Sequence, residues 1–171
     1  MHACVYSKKP FAASKRIECD VVINVQGDEP VINPNDIIKI IDAAKQHPGE
    51  IINGIAGIDT NEEFNNPSIP KVVTAPNGKL LYMSRGAIPT TKRLEFISAY
   101  KQICIYAFPL DSLSAFAKQT EKTPLEQIED IEILRFTEMG YDVRMIELSG
   151  SSFAIDTPED LQRVREHLNV T

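Results

Sequence analysis

The chain has no tryptophan, no C-x-x-C pair among its three cysteines, and no apolar run approaching the roughly 18 residues that cross a bilayer. Cys4, Cys19 and Cys104 are odd in number and widely spaced, which argues against a disulfide framework or a zinc site. Reduced thiols in a cytoplasmic protein are therefore expected, with no membrane association. The first 20 residues lack the apolar h-region of a secretory leader. Basic residues are also short, 18 against 24 acidic ones, and the net charge of −6 argues against a nucleic-acid partner, since counterion release rewards cationic surfaces. Anionic substrates are not excluded, because a divalent cation can mediate between carboxylates and phosphates. There is no repeat, low-complexity tract or linker, and 171 residues suffice for one domain with a real core.

The most informative stretch runs from Asp20 to Pro30. A short β-branched apolar run, residues 20–26, stops abruptly at Gly27, Asp28, Glu29 and Pro30, as a buried strand stops at a functional edge. In open α/β sheets ligands sit beyond the carboxyl ends of strands. Asp28 and Glu29 thus stand either in a polar turn or where Mg²⁺ and polyphosphate are held.

Further along, Asn33-Pro34-Asn35-Asp36 supplies an N-cap, a proline at the first helical position and an early acid, with Ile37, Ile38, Ile41 and Ala44 as the apolar face of a helix that stops before Pro48. Residues 51–58 read as a strand and 62–66 as a turn or short helix. Asn77-Gly78 between residues 71–75 and 79–84 is a strong hairpin signal. Residues 86–98 read as a long loop, 100–108 as a strand and 110–118 as a helix. Thr123-Pro124-Leu125-Glu126 is a capping box opening a helix with Leu125, Ile128, Ile131, Leu134 and Phe136, ending at Gly140. A strand at 143–147, a loop at 149–152 and a last helix from Asp156-Thr157-Pro158 through His167 complete the chain. Strands alternating with helices, plus one hairpin, predict a mixed sheet in an α/β layer fold.

The string N-V-Q-G-D-E-P at residues 24–30 resembles a metal-site motif of the 3-deoxy-manno-octulosonate (Kdo) cytidylyltransferases, the CMP-Kdo synthetases. The likeness continues in order through Asn66-Pro67 and Lys71-Val72-Val73, then Leu81-Tyr82-Met83-Ser84-Arg85 with Ile88-Pro89, Ile105-Tyr106, Thr123 to Glu132, and Ile155-Asp156-Thr157-Pro158-Glu159-Asp160-Leu161. The resemblance implies a nucleotide-diphospho-sugar transferase-like (Rossmann-like) fold. It also implies transfer of CMP from CTP to a sugar acid with release of pyrophosphate, Mg²⁺ dependence, a role in lipopolysaccharide or capsule synthesis, and a homodimer. By the same resemblance Asp28 and Asp156 converge on the catalytic Mg²⁺, and Gln26, Arg85, Gln102, Tyr106 and Glu132 belong to the substrate site. Read without it, Asp156 is a routine helix start, Arg85 an exposed arginine at a strand end, Tyr106 a core tyrosine with a bonded tip and Glu132 a solvated glutamate. Spacing alone does not pair Asp28 with Asp156.

This sequence departs from the family on the sugar side. A His four residues before the tyrosine and a Gly two before it are replaced by Gln102 and Cys104, and the Gln after the glutamate by Ile133. Related ulosonic acids are therefore open as substrates. The family's front, with its P-G-K-P-L phosphate loop, is not found, so the expected organisation is a poorly matched segment at 1–19 and one N-terminally truncated domain at 20–171. These residues alone are expected to bind CTP weakly, and a catalytically inactive remnant serving as a sugar-binding or dimerisation module is the alternative. Without the front units the strand at 21–25 would have an open edge prone to self-association, unless residues before Asp20 fold over it.

Overall fold

The computed structural model describes residues 3–6, 19–26, 31–150, 161–162 and 164–166. Its centre is a seven-stranded mixed sheet. The strands are β1 (Ala3–Tyr6), β2 (Val21–Val25), β3 (Ile51–Gly57), β4 (Lys71–Thr74), β5 (Leu80–Ser84), β6 (Tyr100–Pro109) and β7 (Val143–Glu147). Their spatial order is β1-β2-β6-β3-β7, and β4 joins β6 while pairing with β5. Only β6 runs against its neighbours in the main path: β1 and β2 are parallel, β3 and β7 are parallel, and β6 is antiparallel to both β2 and β3. The carboxyl ends of β1, β2, β3 and β7 consequently share one sheet edge.

Alternation along β6 divides the core. Ile103, Ile105 and Ala107 join Val21, Ile23, Ile52 and Leu148 under helix α1 (Pro34–Gln46), which contributes Ile40, Ala43 and Ala44. Tyr106 and Phe108 point to the other face, with Val22, Ile51, Ile55, Val143 and Met145. That face is covered by α3 (Leu110–Lys118), α5 (Glu132–Glu138) and the β4–β5 hairpin. A short α2 (Asn61–Asn65) leads into β4. Full burial of Ile23, Ile52 or Ile105 is each worth roughly 1.5–3 kcal/mol of transfer free energy. The hairpin turns through Gly78 at φ +82, where a side chain would be strained.

Two expectations need correction, and one stated condition is met. Residues before Asp20 do cover β2: Ala3 to Tyr6 pair in parallel with Val21 to Asn24, so that edge is not open. Helix α1 starts as expected, with Asn33 Oδ1 accepting the Asn35 N–H at 3.0 Å, but its buried face is Asp36, Ile40, Ala43 and Ala44, and Ile38 is 55% exposed. Ile37 and Ile41 pack half-buried against that core and Ala44 is within it, as expected, so Ile38 alone departs, on a helix whose Asp36 turns inward to Ser149. The helix expected from Leu125 to Gly140 is instead two: α4 (Pro124–Glu129) and α5, broken at Asp130 in the left-handed region at φ 52, which leaves Ile128 78% exposed. At the break the carbonyls of Glu129 and Asp130 leave the helical ladder and accept hydrogen bonds from Arg85.

The α4–α5 pair is fastened internally. Arg135 Nε and Nη2 donate to the buried Glu126 carboxylate at 2.5 and 2.7 Å, and the guanidinium lies 3.9 Å from the Phe116 ring centroid. Glu138 accepts the N–H groups of Leu125 and Glu126 in the first turn of α4, where a carboxylate also opposes the helix dipole. Among the described residues at the carboxyl end, 161–162 and 164–166 are helical, within the last helix expected from the sequence.

Candidate functional site

β2 and β4 lie on the same side of β6. The first pairs with residues 105–109 and the second with 100–101. Between them, at 102–104, the sheet opens. Here the Gln26 N–H donates to the Cys104 carbonyl at 3.2 Å, and the Gln102 N–H donates to the Pro70 carbonyl at 3.1 Å. On the opposite side the register slips between Asn53 and Gly54, so that β6 bulges. Asn53, fully buried, fills the bulge by donating Nδ2 to the carbonyls of Ile103 and Ile105 at 2.9 and 3.1 Å. Its Oδ1 accepts Gln102 Nε2 at 3.0 Å, which fixes the Gln102 amide. A bulge bends its strand and re-aims side chains, and such irregularities concentrate beside functional sites.

Gln26 and Gln102 are thus brought together at the mouth where the chain leaves β2. Tyr106 is two strand steps deeper, buried and stacked on Phe108 with centroids 5.4 Å apart. The sequence left it open as core tyrosine or contact, and its ring is part of the core.

Arg85 stands at the end of β5 in a different frame. Its Nε donates to the Glu129 carbonyl at 2.6 Å, Nη1 to that of Pro67 at 3.0 Å and Nη2 to that of Asp130 at 3.2 Å. The Glu129 carboxylate does not touch the guanidinium in a hydrogen bond. Its Oε1 accepts Ser84 Oγ at 2.6 Å and Tyr82 OH at 3.2 Å, and its Oε2 accepts the Arg85 backbone N–H at 2.8 Å. Burial pushes the Glu129 carboxyl up, but the bonds from Ser84, Arg85 N–H and Tyr82 and the Arg85 charge outweigh it and hold it below the usual carboxylate range. Burial, and then the neighbouring Glu129, push the Tyr82 hydroxyl up.

Lys71 links the two halves. It pairs across β4 with Ser84 on one side and Lys101 on the other, so the three share a face. Its side chain is fully buried and Nζ donates to the Asn66 carbonyl at 2.8 Å. Burial and the Arg85 charge lower its pKa, against the opposing pull of Glu129. Lys101 is neutralised by Glu63 at 2.6 Å. Glu132, two residues past Asp130, is exposed in the first turn of α5. Lys71, Ser84 and Arg85 thus lie together beside the α4–α5 break, and the Gln102 N–H bond to Pro70 joins β6 to the start of β4 next to them. Sequence reasoning missed Lys71, Asn53 and the role of Glu129. The signal for Glu129 was its place in the quoted motif, and that for Lys71 a cation opening an apolar strand.

Asp28 and Asp156 lie outside the described residues. Two observations bear on the segments that carry them. Both leave the sheet from the shared edge, since β2 ends at Val25 and β7 at Glu147. Asp36, buried in the first turn of α1, also accepts the Ser149 N–H at 3.1 and 3.2 Å and Ser149 Oγ at 2.5 Å, which ties the start of α1 to the residue two past the end of β7. Two carboxylates are the donor chemistry a hard cation such as Mg²⁺ takes. Among the described residues no group of three or more His, Cys, Asp or Glu could hold a metal ion. No helix among them is long and apolar enough to cross a membrane.

Residues 1–146 match the family model described as cytidylyltransferase. The chain is similar to the 3-deoxy-manno-octulosonate cytidylyltransferase of Syntrophotalea carbinolica, 36% identical over 163 residues that cover 90% of this chain and 65% of the relative. It is similar also to the 8-amino-3,8-dideoxy-manno-octulosonate cytidylyltransferase of Shewanella halifaxensis, 35% identical over 153 residues, covering 88% and 62%. A solved structure of CMP:2-keto-3-deoxy-manno-octonic acid synthetase complexed with CTP superposes with a TM-score of 0.84 at 31% identity, over 93% of this chain and 66% of that one. The chain spans about two thirds of the length of the proteins it matches. The mixed α/β sheet expected from the sequence is thus the fold of nucleotidyltransferases.

Proposed function

The chain belongs to the cytidylyltransferase family, and on that premise we propose that the protein transfers CMP from CTP to a 3-deoxy sugar acid, releasing pyrophosphate, for lipopolysaccharide or capsule synthesis. The observation that carries this reading is Arg85, whose guanidinium is held by three carbonyls and, among the described residues, hydrogen-bonded by no carboxylate. A fixed guanidinium of this kind suits the planar carboxylate of a sugar acid. The amides of Gln26 and Gln102 are of the kind that suits its hydroxyls, and we assign them, with Glu132, to the sugar side of the site. In the reaction the sugar hydroxyl forms a bond to the α-phosphorus of CTP as the bond to the β-phosphate oxygen breaks and pyrophosphate leaves. Little covalent chemistry falls to protein side chains, so their work is positioning and charge placement. Asp28 and Asp156 would hold Mg²⁺, which supplies neutralisation of phosphate charge and a lowered hydroxyl pKa when bound.

Relatives named for Kdo and for its 8-amino analogue match at nearly equal identity, 36% and 35%. The amino sugar acid is therefore a second reading of the substrate. We further propose a cytoplasmic homodimer. Pyrophosphate release from CTP with each sugar acid, with and without Mg²⁺, tests the activity and the choice. Asp156→Asn is expected to lower kcat about 100-fold or more while leaving thermal unfolding close to wild type. Near-wild-type turnover of that variant would remove the assigned role.

A further inference from the structure

We propose that Glu129 is a positioning residue that sets Arg85 in place for a carboxylate ligand, an inference that rests on the activity proposed above. Glu129 collects three donors from one strand end: Tyr82 OH, Ser84 Oγ and the Arg85 backbone N–H. The strand end is thereby fixed against the α4–α5 break. The same residue's carbonyl, with that of Asp130, takes two of the guanidinium nitrogens. The third nitrogen bonds Pro67, whose neighbour Asn66 is anchored by the fully buried Lys71.

The choice of partners carries the argument. A carboxylate this close to an arginine ordinarily forks its guanidinium, which is the stronger pair. Here the carboxylate engages the backbone and hydroxyls, and among the described residues only neutral carbonyls hold the guanidinium. Arg85 has five N–H donors, of which three bonds use three. A pure fold staple would need the Ser84 and Tyr82 contacts but gains nothing from keeping the guanidinium clear of a counter-ion. The arrangement leaves the Arg85 head rigid and its charge open to an incoming anion.

Glu129→Ala and Glu129→Gln in the protein are the test, with 3-deoxy-manno-octulosonate as the probe. Glu129→Ala is expected to raise KM for the sugar acid about tenfold or more, with kcat and KM for CTP within about threefold of wild type, and Glu129→Gln to recover part of the loss through its remaining acceptor. In NMR spectra the Arg85 Nε–H signal is expected to be protected from exchange in wild type, to shift on titration with the probe, and to do neither in Glu129→Ala. An unchanged KM in folded Glu129→Ala, or equal damage to both substrates, overturns the positioning role. If the wild-type protein releases no pyrophosphate, the proposed activity is refuted. The NMR titration still decides the inference: a probe-induced shift in wild type but not in Glu129→Ala supports it, and no shift in wild type overturns it.

Discussion

Removing the Asp36 carboxylate should loosen the chain where β2 and β7 both let go of the sheet. Asp36 is 4% exposed and accepts both the backbone N–H and the hydroxyl of Ser149, the latter at 2.5 Å. Hydrogen bonds to a charged group contribute about 1.5–3 kcal/mol each, and a lost acceptor leaves a donor unpaired. Lys39 Nζ, 3.7 Å away with its side chain half exposed, adds about 0–1 kcal/mol at most. The acid's place in the first turn of α1 adds about 0.3–1 kcal/mol through the helix dipole. Asp36→Ala should therefore cost about 3–6 kcal/mol, Asp36→Asn about 1–2 because one acceptor survives, and Ser149→Ala about 1.5–3. Urea unfolding of the two alanine variants and their double mutant isolates the shared part, which should exceed about 1 kcal/mol. The dipole and Lys39 contributions cancel in that cycle. An Asp36→Ala protein within about 0.5 kcal/mol of wild type, or a coupling of zero, would refute the clamp. Under the proposed activity, Asp36→Asn should also raise the Mg²⁺ concentration needed for half-maximal rate more than KM for the sugar acid.

Glu129 makes stability depend on acid. Its carboxyl is held below the ordinary 4.5, so its contribution is fully present above that value and is lost as pH falls toward the folded-state pKa. Urea midpoints of wild type should drop over that window, and those of Glu129→Gln should drop less. Glu138 is depressed in the same direction, so the difference between the two proteins is the quantity to read. Arg135→Met strands the buried Glu126 and should cost about 3–5 kcal/mol, whereas Glu126→Leu with Arg135→Met should recover most of it. A single-variant loss below about 1 kcal/mol would show that the pair is not the fastening described.

Where the sequence carried a periodic or capping signal, the fold followed it. The β-branched run before Gln26 became β2, Asn77-Gly78 became the hairpin turn, and Asn33-Pro34 opened α1. Two departures, both in helices, involve a polar side chain with a distant partner. Ile38 looked buried by helical spacing, but α1 turns Asp36 inward, where Ser149, 113 residues away, donates to it. Leu125 to Phe136 looked like one helix because nothing local contradicts it. At the break, Asp130 is left-handed and Arg85, 44 residues earlier than Glu129, takes the carbonyls freed there. β1 was not foreseen because a four-residue edge strand has no period long enough to read.

The candidate site shows the same division more sharply. Residue types in a motif name the chemistry, and Gln26, Arg85, Gln102, Tyr106 and Glu132 were nominated that way. What holds them is invisible to a motif, because it consists largely of backbone. Gln102 is aimed by Asn53, whose amide sits in a strand bulge, and the Arg85 guanidinium is framed by three carbonyls that carry no sequence signature. A carbonyl frame can be conserved in geometry while its side chains vary, since only chain path and the anchors Lys71 and Glu129 need be kept. It follows that changes such as Gln102 and Ile133 can alter which hydroxyls of a sugar acid are recognised without moving the arginine that would take its carboxylate. Discrimination and anchoring are then separable: Gln102→His should change preference among sugar acids, and only damage to the frame should weaken them all.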